Sequence, residues 1–69
     1  MKEQLIKAAL LHFQAVKVKS EANLEVYLTS AAGIGEHPDV VSEVINLTKA
    51  ITEADEAIKY LEAQSQKTL

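Results

Sequence analysis

Sixty-nine residues, 48% of them apolar and 25% charged, make one small globular domain rather than a disordered chain. The net charge is −3, with no cysteine and no arginine; this excludes disulfides and thiolate zinc sites and disfavours a dedicated nucleic-acid binder, which would use arginine on phosphate and guanine. Charge already at Lys2 and Glu3 does not fit a signal peptide, and no apolar run approaches the ~20 residues of a membrane span, so a cytoplasmic protein without membrane contact is expected.

The first element reads as a helix from about residue 2 to 31. Its apolar residues fall on two faces. One collects Ile6, Ala9, Phe13, Val16, Leu24 and Tyr27, interrupted by the polar Ser20 and Asn23. The other collects Ala8, Leu11, Ala15, Val18 and Ala22, spaced by three and four. His12 and Lys19 separate the faces on one side, and Glu3, Lys7, Gln14, Glu21 and Glu25 on the other. A surface helix of a monomer carries one apolar stripe, so two stripes predict two packing partners. Alanine alone could sit on an open face through helix propensity, but Leu11 and Val18 gain nothing there. The second stripe is therefore the candidate self-association surface.

The stretch at residues 32–37 reads as a turn. Both glycines and the single proline of the chain fall within Gly33-Ile34-Gly35-Glu36-His37-Pro38. Gly33 suits a left-handed helix C-terminus, and Ile34 can fold back on the last helical turn. Pro38 is preorganised for a first helical position, with His37 read as the N-cap before it. Glu36 and Asp39 complement the positive end of the next helix dipole. Ile34, Glu36, His37 and Asp39 are also the candidate partner-facing residues, because this is the most distinctive string in the chain.

The second helix spans about residues 38–66. Val40, Val44, Leu47, Ile51, Ala54, Ile58, Leu61 and Ser65 alternate spacings of four and three throughout, a 3.5-residue period that implies left-handed coiled-coil packing. Val41, Ile45 and Ala63 form a minor second stripe with Tyr60 nearby, and Asp55–Lys59 and Lys49–Glu53 are candidate i,i+4 ion pairs. Counting back antiparallel from Tyr27 beside Val40 sets Ser20 near Leu47, Phe13 near Ala54 and Ile6 near Leu61. The expected fold is all-α: an antiparallel two-helix hairpin, coiled-coil-like, over residues 1–69. A lone seam of modest side chains, unsupported by a disulfide or zinc staple, is a small core. Pairing into a dimeric four-helix bundle is therefore expected.

The residues point to no enzyme and no cofactor. Neither helix offers the Glu-x-x-His that carboxylate-bridged di-iron bundles need. No serine or threonine has a histidine base with an orienting acid. Gly33-x-Gly35 lacks the lysine and preceding strand of a phosphate loop. Glu53 and Glu56 lie off the heptad and read as a solvated acidic face.

The strings Ala22-Asn23-Leu24-Glu25-Val26-Tyr27-Leu28 and Gly33-Ile34-Gly35-Glu36-His37-Pro38-Asp39 resemble a segment of small uncharacterised proteins of tailed phages infecting marine cyanobacteria. The resemblance covers about a fifth of the chain. It implies a setting in a host bacterial cytoplasm or a virion, and it brings no activity or catalytic residues. The function expected is a non-enzymatic self-associating module, structural or adaptor, that binds itself as a homodimer and an unknown protein partner. The alternative is a small phage-type regulator binding nucleic acid or the host transcription or replication machinery. Its basic residues Lys2, Lys7, Lys17 and Lys19 are spread around the first helix among acids, which disfavours a basic stripe.

Overall fold

The computed structural model describes residues 1–30 and 39–67. Two helices account for almost all of them: α1 (Lys2–Ser30) and α2 (Val40–Ser65). They pack against each other along their length, as a rod with principal extents of 53 × 16 × 15 Å. α1 ends close to the expected residue 31. α2 begins at Val40 rather than at residue 38, because Asp39 takes the capping position. The expectations placed on Gly33, Gly35, Ile34, Glu36, His37 and Pro38 lie outside the described residues.

The heptad of α2 turns inward as its spacing predicts. Val40, Val44, Leu47, Ile51, Ile58 and Leu61 are half-buried and Ala54 is buried, while Ser65, at the open end, is exposed. On α1 the predicted residues Ile6, Ala9, Phe13, Val16, Leu24 and Tyr27 are all half-buried. Leu10 and Lys17 join them, and Ser20 is buried. The seam of α1 is thus Ile6, Leu10, Phe13, Lys17, Ser20, Leu24 and Tyr27, spaced four and three like that of α2. Ser20, read from the sequence as an interruption, belongs to the seam; Asn23 stays exposed.

Ala54 at 1% exposure and Ser20 at 7% are the buried residues among those described. Both are small, which is what a close approach of two helix backbones requires. The larger side chains flank the contact line and keep part of their surface in water. A folded monomer of this mass exposes roughly 4,200 Å². This chain exposes 5282 Å², about 1,000 Å² more.

Two cross-helix observations set the register. Lys17 Nζ lies 2.7 Å from Asp55 Oδ1, and Tyr27 shares a cleft with Glu43 and Leu47. Simple level counting had put Tyr27 beside Val40. Both observed partners sit further along α2 than that count allows. Side-chain lean contributes about one position per helix, since every helical side chain tilts toward its own N-terminus, and the rest of the offset means that Tyr27 is not level with Val40. In an antiparallel pair the two tilts add, so a side chain of α1 meets a later residue of α2.

Ala54→Leu overpacks the tightest point of the seam. The expected cost is about 1–3 kcal/mol, read as a lower urea midpoint by circular dichroism. An unchanged midpoint would mean that α1 does not press on Ala54.

Candidate functional site

Two surfaces were singled out by sequence, the outer stripe of α1 and the turn leading into α2. The stripe residues Ala8, Leu11, Ala15, Val18 and Ala22 are all exposed. Leu11 is 56% and Val18 64% exposed. At 100° per residue they lie on the side of α1 opposite its seam, so α2 cannot reach them. The stripe is a continuous apolar band of one helix whose other face is already used. Its flanks are polar: Lys7, Gln14 and Glu21 run along one edge, His12 and Lys19 along the other, all exposed. The His12 ring meets Phe13 edge-on, with centroids 5.0 Å apart.

Of the turn candidates, Ile34, Glu36 and His37 lie outside the described residues. Asp39 is described, and it is the N-cap of α2. Its Oδ1 accepts from the Ser42 backbone N–H at 2.9 Å and its Oδ2 from the Ser42 hydroxyl at 2.7 Å. Asp39 therefore does what the sequence assigned to His37. A short carboxylate one residue before the helix reaches the third N–H of the first turn directly. These two bonds, the backbone N–H first, hold the Asp39 carboxyl below its ordinary value. A partner can still approach it, but both of its oxygens are engaged in capping.

The ion pair Lys17–Asp55 was not found by sequence reading, which set Asp55 beside Lys59 on its own helix. Asp55 sits instead at the edge of the seam and takes Lys17 from across it. The hydrogen bond from Lys17 to Asp55, and then the Asp55 charge, raise the Lys17 pKa against a smaller effect of desolvation. Glu21, one turn further along α1, adds a weaker pull in the same direction. The signal lay in the heptad itself: Lys17 falls on a seam position, where its stem packs and its ammonium emerges at the edge.

An open cleft of about 410 Å³ lies near the turn end of the hairpin, lined by Asn23, Val26, Tyr27, Glu43 and Leu47. Its walls carry one carboxylate and no base or nucleophile pair. Among the described residues no three His, Cys, Asp or Glu side chains converge on a possible metal position. No helix among the described residues is long and apolar enough to cross a membrane. Compared with family models, with curated proteins and with solved structures, the chain matches none.

The Asp39 cap yields a pH-dependent expectation. A carboxyl whose pKa is lower folded than unfolded contributes stability above its unfolded value, near 3.9, and loses it as pH falls through the folded value. Asp39→Ala should lower the urea midpoint at neutral pH, and Asp39→Ser should recover most of the loss. The gap between parent and Asp39→Ala should close in acid below the ordinary carboxylate range. A gap that persists there would show that the cap does not depend on the ionised carboxylate.

Proposed function

We propose that this chain is a non-enzymatic, self-associating helical module with a structural or adaptor role, pairing as a dimer of hairpins into a four-helix assembly. The observation that carries the reading is the outer stripe of α1. Leu11 and Val18 stand in water among three alanines, on a helix whose opposite face already packs on α2. Fully burying a Leu or Val is worth ~1.5–3 kcal/mol relative to exposure. The surplus of exposed surface over a compact monomer is close to the ~800 Å² that one partner contributes to an ordinary protein interface. A second copy supplies a matching surface at no cost in new sequence, which is why closed symmetric dimers are the commonest oligomers.

The rest of the reading follows from chemistry. A dimer built on α1 leaves the mixed-charge outer face of α2, with Lys49, Glu53 and Glu56, and the end of the rod near Asp39 open to a protein partner. No basic stripe supports nucleic-acid binding. The setting we propose is the cytoplasm, that of a bacterial host or a virion if the likeness to phage proteins holds.

Ala15 lies at the middle of the stripe and away from the seam, so Ala15→Glu tests the interface without touching the hairpin. Light scattering should give twice the chain mass for the parent and the single-chain mass for Ala15→Glu, with helicity retained by circular dichroism. A monomeric, stably folded parent overturns the proposal. An Ala15→Glu variant with unchanged mass and stability shows that the stripe is not the interface.

A further inference from the structure

We infer that two copies pair antiparallel through α1, in the one register that sets Leu11 against the partner's Ala15, Ala8 against the partner's Val18 and Lys7 across from the partner's Glu21. This rests on the self-association proposed above and goes further, by fixing which helix, which direction and which register.

The inference begins with size. The stripe reads Ala8, Leu11, Ala15, Val18, Ala22, alternating small and large at spacings of three and four. In a parallel, in-register pair each residue meets itself. Alanine then faces alanine at Ala8, Ala15 and Ala22 and leaves gaps, while leucine faces leucine at Leu11. In an antiparallel pair each small residue can face a large one, as interdigitated packing needs. With residue numbers across the contact adding to 26, Ala8 faces the partner's Val18 and Leu11 the partner's Ala15. The two-fold axis repeats both layers in reverse. Four successive layers then hold one alanine and one larger apolar residue. Numbers adding to 33 do the same, with Leu11 on the partner's Ala22 and Ala15 on the partner's Val18, so size sets the antiparallel direction and leaves two registers.

Charge decides between these two registers. Residues flanking such a contact pair across it along matching edges. Lys7, Gln14 and Glu21 form one edge of the stripe at intervals of seven residues, and all three are exposed. Edge residues of an antiparallel heptad contact pair two residues off the core sum, so where the core adds to 26 this edge adds to 28: Lys7 lies opposite the partner's Glu21, Gln14 opposite the partner's Gln14 and Glu21 opposite the partner's Lys7. Two symmetric opposite-charge pairs result. A slip of one heptad either way puts Lys7 against the partner's Gln14 or the partner's Leu28 and leaves no opposite pair. Parallel pairing sets Lys7 against the partner's His12, Gln14 against the partner's Lys19 and Glu21 against the partner's Val26, again with none. On the other edge, in the chosen register, His12 meets the partner's His12 and Lys19 the partner's Leu5, so no acid is wasted there.

Among the described residues neither Lys7 nor Glu21 forms a close ion pair within the hairpin, and the pull of Glu21 on Lys17 is the weakest of those acting on that ammonium. The ammonium one turn before Glu21, on Lys17, is bound to Asp55 across the seam at 2.7 Å. The seam of α1 takes the opposite side of the helix, so the α1 helices of two copies form the centre of the assembly and the α2 helices its outside. The occupant of the stripe is therefore a second copy of this chain, because the stripe is complementary to itself in size and in charge at once.

Charge reversal tests the register apart from the association. Lys7→Glu turns both pairs into Glu against Glu, and Glu21→Lys turns them into Lys against Lys. Each variant alone should self-associate on the order of tenfold more weakly at low salt. Mixed one to one, the two variants should form a heterodimer in preference to either homodimer, because both of its edge pairs are then of opposite charge. The double variant Lys7→Glu/Glu21→Lys should recover parental affinity. The readout is the dissociation constant from sedimentation equilibrium, with helicity followed in parallel. The chain has no cysteine among the described residues, so a mixture of Leu11→Cys and Ala15→Cys chains should oxidise mainly to the crossed disulfide. Single variants that dimerise as the parent does, a double variant that fails to recover, or Leu11→Cys chains that cross-link mainly to themselves would each overturn the register while leaving self-association standing. A parent that stays monomeric would overturn both.

Discussion

Two helices side by side touch along one line, and every other property of this molecule follows from how narrow that line is. With no third layer, a side chain is sealed from water only where the two backbones come closest, and only a small residue fits there. Ala54 and Ser20 are those residues among the ones described. Leucine, isoleucine, phenylalanine and tyrosine straddle the line and keep part of their surface wet. Much of the apolar content of the sequence therefore stays outside the hairpin, on surfaces that are stable only when something else covers them. The excess of exposed area over a compact monomer measures the same thing from outside.

A narrow seam with a strict heptad has a second weakness, which is that apolar layers repeat. Sliding one helix by seven residues restores the same pattern of half-buried side chains, and nothing in the apolar contacts themselves prevents it. The polar members of the seam break that degeneracy. Lys17 occupies a position that an apolar residue would fill in a uniform coiled coil, and its ammonium meets Asp55 at 2.7 Å. Being partly solvated, the pair adds little stability of its own. Its value is positional in one direction: a slip of one heptad that brings Thr48 to Lys17 loses the ion pair, whereas the opposite slip offers Glu62, a second carboxylate. Ser20 acts similarly by size, since the closest approach of the helices must fall on it.

The legible parts of this fold were those where hydrophobicity and periodicity agreed. α2 has apolar residues at nearly every seam position, so its inward face followed directly from spacing. α1 carries Lys17 and Ser20 at seam positions; the sequence reading kept Ser20 on that face as a polar interruption but missed Lys17, which a count by spacing alone, indifferent to polarity, would have kept. The start of α2 was expected at about residue 38, from a proline and a histidine that lie outside the described residues, and the cap that is described is the carboxylate that reaches the Ser42 N–H, Asp39. The pairing of Asp55 with Lys17 instead of Lys59 was hidden for a different reason. It depends on the relative rotation and lean of two helices, which a one-helix pattern does not contain. The outer stripe of α1 was fully visible, since it needs only the geometry of a single helix and the structure leaves all five of its residues exposed.

The two helices end up with different outer faces, and that difference orders any assembly built from them. The far side of α2 carries Lys49, Glu53, Glu56 and Lys59, with Ile45 and Tyr60 exposed among them. Covering that face would desolvate several charges, and each buried charge needs a partner to offset the loss of water. The far side of α1 carries alanine, leucine and valine, which lose nothing on burial. The second stripe of α2, Val41, Ile45 and Ala63, lies among charges, whereas that of α1 is free of them along its centre. Covering the outer face of α1 would therefore desolvate fewer charges than covering that of α2. At the seam Ala54 lets α1 approach α2, and on the outer face Ala8, Ala15 and Ala22 keep the surface low beside Leu11 and Val18. A chain too short to enclose a core in this way makes its one narrow contact close-packed, by placing its smallest residues where the two backbones come together.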